Sequence, residues 1–126
     1  MNIAQFAQRC ALTPHTLRYY ERIGLLGQVA RQANGHRMFG ARDVEWVAFL
    51  QRLRATGMPI RDMLRYAALR AEGPATLVAR QALLEAHAAQ LEASLRAQQA
   101  NLRALKHKIA LYESQRHETA VKTALT

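Results

Sequence analysis

Apolar residues recur at helical spacing from the first residues of the chain. Ile3, Phe6, Ala7 and Cys10 fall at i, i+3, i+4 and i+7, which places them on one face of a helix. Asn2 can cap that helix, with Gln5 placed to reach back to the cap. A second helix is predicted from Pro14, which suits the first helical position because it has no N–H to lose, after Thr13 as N-cap. Leu17, Tyr20 and Gly24 share its apolar face, whereas His15, Arg18, Tyr19 and Arg22 line another. Gly24 suits a left-handed exit, and Leu25 and Leu26 can tuck back onto the apolar side. The period then changes. Gln28-Val29-Ala30-Arg31 and His36-Arg37-Met38-Phe39 flank Asn34-Gly35, a strong hairpin signal because both turn residues accept positive φ. A third helix is predicted from Ala41 to Thr56, with Asp43 and Glu45 in its first turn and an apolar stripe of Trp46, Val47, Phe49, Leu50 and Leu53. A fourth runs from Ile60 to Glu72, with Ile60, Met63, Leu64 and Ala67 on one side and Arg61, Arg65 and Arg70 polar. Gly73-Pro74 then interrupts the chain.

From Ala75 onward there is no Gly or Pro, and Ala, Leu, Gln, Glu and Arg favour one long helix. Leu84, Ala88, Leu91, Leu95, Gln98, Leu102, Leu105, Ile109 and Tyr112 step by alternating 4 and 3, which is a heptad seam. A helix of roughly 55 Å, at 1.5 Å per residue, outruns what a small domain can cover, so the seam predicts a partner helix and, most economically, a homodimer. Gln98 in mid-seam can set register. After Glu113 the periodicity fades and a frayed tail is expected. The predicted organisation is thus a winged helix-turn-helix domain over 1–72, a coiled-coil dimerisation helix over 75–113 and a disordered tail over 114–126. The fold class is mainly α.

Charge narrows the partner. The formal net charge is +9, and residues 1–70 hold 11 Lys+Arg against 4 Asp+Glu, whereas 71–126 hold 7 against 5. The basic excess therefore sits with the short helix and the hairpin. Guanidinium, imidazole and phenol groups at the spacing of His15, Arg18, Tyr19 and Arg22 can reach base edges and phosphates of double-stranded DNA from a helix laid in a major groove. Arg31 and Arg37 on the hairpin arms can straddle the adjoining backbone, and Arg61 can touch phosphate from the start of the fourth helix. No apolar run approaches a membrane span and no signal-peptide pattern opens the chain, so no membrane partner and a cytoplasmic location are expected. Cys10, the only cysteine, lies on a core face, which argues against a redox role and excludes an intrachain disulfide. No metal or cofactor is called for. The five His are scattered, and no paired carboxylates or Gly-rich phosphate loop appear, so an enzyme is not expected.

LRYYERIGLL followed by R-x-x-N-G-H-R-x-F resembles the mercury-resistance (MerR) family of bacterial transcription regulators, and the resemblance extends from Ile3 to about Tyr112. It implies two winged-helix heads separated by an antiparallel coiled coil. The dimer would bind a pseudo-palindromic operator within an overlong promoter spacer and distort that spacer so that RNA polymerase can use it. By position, His15, Thr16, Arg18, Tyr19, Arg31, Arg37 and the aromatic Phe39 would form the DNA-contacting set. Two departures stand out. Family members usually carry Tyr where this chain has His36 and Phe39, so His36 would contact phosphate in place of a phenol while Phe39 can only pack. The cysteines of the metal sensors and the ligand-binding domain of the drug sensors have no counterpart in this sequence. LRATGMPIRDMLRYA resembles the aldehyde- and thiol-stress-responsive branch, but Arg52 stands where that branch often has cysteine, and no inducer is assigned. An architectural or excisionase-like DNA-binding protein, acting without transcription activation, is the alternative. For the coiled coil, an antiparallel register in which partner positions sum to 200 would set Leu95 against Leu105 and Leu91 against Ile109.

Overall fold

A computed structural model describes residues 1–126 apart from Gln28, Val29, Gln32, Asn34 and His36, and only the backbone of Ala30 and Arg31. The elements follow in the order α1 (Ile3–Cys10), α2 (Pro14–Ile23), β1 (Ala30–Arg31), β2 (Arg37–Met38), α3 (Ala41–Ala55), α4 (Ile60–Ala71), a 3-10 turn (Pro74–Thr76) and α5 (Leu77–Leu125). The caps form as the sequence specifies. The Asn2 side chain accepts from the Gln5 N–H at 2.9 Å while the Gln5 side chain accepts from the Asn2 N–H at 3.0 Å, and the Thr13 hydroxyl accepts from the Thr16 N–H at 3.1 Å. Helix α2 ends at Gly24, whose φ of 98° lies in the left-handed region, where a Cβ would be strained. This exit lets the Leu25 N–H close back on the Tyr20 carbonyl at 2.8 Å.

The chain divides into two units, Met1–His87 and Ala88–Thr126. In the first, α1 contributes Phe6 and Ala7, α2 contributes Leu17 and Tyr20, and the α2 exit contributes Leu25 and Leu26 to a core completed by Phe39, by Trp46, Val47, Leu50 and Leu53 of α3, and by Met58, Met63 and Ala67. Strands β1 and β2 pair antiparallel, Ala30 opposite Met38 and Arg31 opposite Arg37. Gly35 between them has a φ of 83°, as a tight hairpin turn requires; its predicted companion Asn34 lies outside the described residues. The 3-10 turn is held by Thr76, buried, whose hydroxyl lies 2.5 Å from the Leu69 carbonyl and 2.8 Å from that of Gly73. Arg80 donates from Nε to this hydroxyl and from Nη2 to the Gly73 carbonyl, each at 3.0 Å.

Three expectations need correction. The spacing puts Ile60 on the α4 core stripe, but it is 46% exposed, because the helix buries Met63 and Ala67 and turns its first residue outward. Leu84 was placed in the intermolecular seam, yet with Leu83 it packs on the core of its own unit, and His87 nearby is bonded to the Thr56 hydroxyl at 2.7 Å. The compact unit therefore runs past the Gly73-Pro74 break. Finally, the chain does not fray after Glu113 but is helical through Leu125. Fading heptad periodicity removes a partner-facing seam, not the local propensity to be helical, and the Thr119 and Thr123 hydroxyls satisfy the carbonyls four residues back, each at 2.9 Å.

Candidate nucleic-acid interface

Helix α2 presents two chemically distinct faces. Leu17 and Tyr20 are each 1% exposed, whereas His15, Arg18, Tyr19 and Arg22 point into solvent. The polar end of Tyr20 is not left unpaired in the core. Its hydroxyl donates to Gln51 Oε1 at 3.2 Å and accepts from Arg54 Nη1 at 3.1 Å, which ties α2 to α3 through a side chain that would otherwise carry a desolvation penalty. At the α2 exit the Trp46 indole N–H donates to the Leu25 carbonyl at 2.7 Å in a buried bond. The helix is thus braced along its length and at its end. On the outer face the Arg22 guanidinium sits 5.5 Å from the centre of the Tyr19 ring, within cation-π range, so two of the exposed groups hold each other in place.

The predicted contact residues are not equivalent. Thr16 is half-buried, and its hydroxyl lies 3.0 Å from that of Thr13, whose side chain also takes the Thr16 N–H; it belongs to the helix cap. Arg61 is exposed at the first turn of α4, 4.0 Å from Asp62 Oδ1, and is open to a phosphate. Arg37 was expected to reach phosphate, but its Nε lies 2.6 Å from Glu21 Oε2 with both side chains largely shielded. The guanidinium bridges the hairpin to α2. Phe39 was carried among the DNA contacts and is instead 4% exposed, stacked on Phe6 with ring centres 4.2 Å apart and planes 9° apart. Lacking a hydroxyl, it gains more by closing the core than by facing water. The Arg31 side chain and His36 lie outside the described residues.

Arg54 was missed by sequence reasoning. It is exposed and lines, with Tyr19, Ile60 and Met58, a cleft of about 250 Å³ beside α2. Its position follows from the need of buried Tyr20 for a polar partner, and nothing in the local pattern announces which residue of α3 supplies it. Cys10 is half-buried, and burial pushes its thiol above the ordinary range, with Arg9 opposing and Asp43 adding to the shift. Among the described residues no group of three or more His, Cys, Asp or Glu is placed to hold a metal ion, and no helix is long and apolar enough to cross a membrane.

Residues 1–68 match the model of the MerR HTH family regulatory proteins. The HTH-type transcriptional regulator AdhR of Bacillus subtilis (strain 168) is 42% identical over 84 residues, which cover 67% of this chain and 60% of AdhR. A Listeria monocytogenes structure described as a MerR family transcriptional regulator superposes with a TM-score of 0.88 at 32% identity, covering 100% of this chain and 99% of the other. The structure of HiNmlR, a MerR family regulator lacking the sensor domain and bound to promoter DNA, gives a TM-score of 0.79 at 31% identity over 90% of each chain.

Proposed function

The chain belongs to the MerR helix-turn-helix family of transcriptional regulators, and from that premise we propose that it binds a pseudo-palindromic promoter operator as a homodimer and distorts an overlong promoter spacer. The observation that carries this reading is the outer face of α2, where His15, Arg18, Tyr19 and Arg22 are exposed together on a helix braced from behind. Laid in a major groove, these groups meet base edges, with Arg18 suited to a bidentate guanine contact. Arg61 and Arg54 take flanking phosphates, while Arg37 positions the hairpin whose other arm carries Arg31 and whose turn leads into His36.

Dimerisation is supported by α5. In a single chain Leu95, Leu102, Leu105, Ile109 and Tyr112 are 50–62% exposed, a row of large apolar side chains of the kind that marks an interaction surface. Antiparallel pairing along Ala88, Leu91, Leu95, Gln98, Leu102, Leu105, Ile109 and Tyr112 of two copies would cover that row and place one reading head at each end, as a two-fold operator demands. RNA polymerase enters as the partner that uses the distorted promoter, in the cytoplasm where the DNA is.

The test combines footprinting with transcription in vitro from a promoter carrying the bound site. Expected are a dyad-symmetric footprint, affinity that falls with a log–log salt slope of roughly −0.9 per phosphate neutralised, and altered transcript yield that disappears when the spacer is shortened. A symmetric footprint with transcription unchanged at every spacer length would refute the activation part and leave an architectural protein.

A further inference from the structure

On the side of α3 away from Tyr20 the first unit has a second hollow, of about 360 Å³. Arg42, Glu45, Trp46 and Phe49 reach it from one face of α3 at i, i+3, i+4 and i+7, whereas Gln51 and Arg54, which meet Tyr20, leave the helix elsewhere. Its floor is aromatic. Trp46, Phe49 and Tyr66 are in mutual contact, with ring centres 5.7–6.4 Å apart. Its rim is cationic, with Arg42, Arg70 and Arg80 against one carboxylate, Glu45.

The arginines differ in what they still have to offer. Arg70 covers the Trp46 ring at 4.1 Å, so the position a cationic ligand would take over that indole is already filled by the protein's own guanidinium. Arg80 is fixed through Nε and Nη2 to Thr76 and Gly73, which holds its charge at the rim without side-chain ordering on binding. The Arg42 side chain is exposed and has no hydrogen bond or ion pair among the described residues. An aromatic floor in which Phe49 is tilted 31° from Trp46 and 44° from Tyr66, under a rim of three guanidiniums, selects an aromatic group bearing a negative charge, because a carboxylate pairs with arginine in a charge-assisted way while its ring packs at an angle against Phe49 and Tyr66. The volume falls within the roughly 300–1,000 Å³ of small-molecule sites.

We propose that this hollow binds a small planar aromatic carboxylate and that its occupancy is felt at the exit of α2. The second half rests on the promoter-binding reading. The physical link is short: the Trp46 ring lines the hollow, its N–H holds the Leu25 carbonyl, and the Leu25 N–H closes α2 on Tyr20. A ligand that binds better when the indole is displaced therefore shifts the population of α2 geometries, and one indifferent to the indole shifts nothing.

Trp46 is the single tryptophan, so its emission reports on the site in the full chain. Benzoate is expected to change that emission saturably, while benzyl alcohol and benzylammonium do not. Arg42→Gln should weaken the benzoate response by about tenfold, the loss of one charge-assisted contact. Glu45→Gln should tighten it about two- to fivefold by removing the one repulsive charge. Benzoate should also change the affinity for promoter duplex in the native chain and not in Arg42→Gln. No saturable response, an equal response to benzylammonium, or an unchanged midpoint in Arg42→Gln would overturn the site. Saturable binding with DNA affinity unmoved would overturn the coupling. Duplex binding without benzoate, measured on the same samples, separates either failure from a failure of the promoter-binding reading.

Discussion

Replacing Arg37 by Ala distinguishes a residue that positions the hairpin from one that neutralises DNA. The pair with Glu21 is short, 2.6 Å, and its side chains keep 33% and 17% of their exposure. It therefore falls between solvent-exposed pairs, worth roughly 0.2–1 kcal/mol, and buried ones, whose disruption costs roughly 3–5 kcal/mol. Glu21 has a further interaction in the structure, which lowers the cost of losing this one. Arg37→Ala should accordingly destabilise the fold by about 1–2 kcal/mol. A cycle with Glu21→Gln should give a coupling near 1 kcal/mol by chemical denaturation. Promoter affinity should fall as the hairpin loosens, while its salt dependence stays as in the native chain. If Arg37 bound phosphate instead, the log–log slope would drop by about 0.9. A drop of that size, together with a coupling under about 0.3 kcal/mol, would refute the positioning role.

Other outcomes follow from the same geometry. Arg18→Ala should cost about 1–3 kcal/mol of promoter affinity and relax base preference at one position of each half-site, checked by competition with single-base variants; uniform weakening across sequences would mean a phosphate contact. Trp46→Phe, which leaves the buried Leu25 carbonyl without its 2.7 Å donor, should destabilise by about 1–3 kcal/mol in denaturation followed by circular dichroism. Leu102→Asp, placing a charge in the proposed pairing surface, should sediment as a monomer and lose cooperative occupation of the two half-sites; an unchanged dimer would move the interface elsewhere. Cys10 has its thiol pushed upward by burial, so at neutral pH less of it is thiolate than in the unfolded chain. Its alkylation should be slower than in urea at the same pH, and should accelerate only above the pH at which an ordinary thiol reacts; equal rates would remove burial as the cause.

The parts of this fold that were legible in the sequence are those fixed by neighbours along the chain. Asn2 with Gln5, Thr13 before Pro14, Gly24, and the Gly73-Pro74 break each act within a few residues, and the helix ends fall where they act. The exposed face of α2 was legible for the same reason, since spacing alone separates Arg18 from Leu17. What was not legible depends on partners distant in sequence. Phe39 stacks on Phe6, 33 residues earlier in the chain, and Arg37 meets Glu21 of α2 from beyond the hairpin turn, so neither could be sorted from a residue list into core or contact. Leu84 shows the same limit within a heptad pattern. A repeat specifies that an apolar face will be covered, but not whether the cover comes from another chain or, as here, from the core of the same unit.

Binding DNA costs least entropy when the reading groups are already held in place, and the bracing of α2 bears on where regulation can act. Tyr20 fixes the middle of the helix through Gln51 and Arg54, and Trp46 fixes its exit through Leu25. The cap at Thr13 and Thr16 fixes its start. On the proposed reading, a helix restrained at three points adapts little to a poor site, so discrimination would fall on the rotamers of His15, Arg18, Tyr19 and Arg22. The same restraint leaves few ways to alter affinity without unfolding the first unit. Of the three points, the start is a local cap, the middle borders the smaller cleft beside α2 through Tyr20 and Arg54, and the indole at the exit borders the larger hollow with its cationic rim. On the proposed reading, sensitivity of promoter binding to substitutions at Trp46, beyond the stability they cost and absent from Gln51→Ala, is the sign that the exit rather than the middle is where a signal is received.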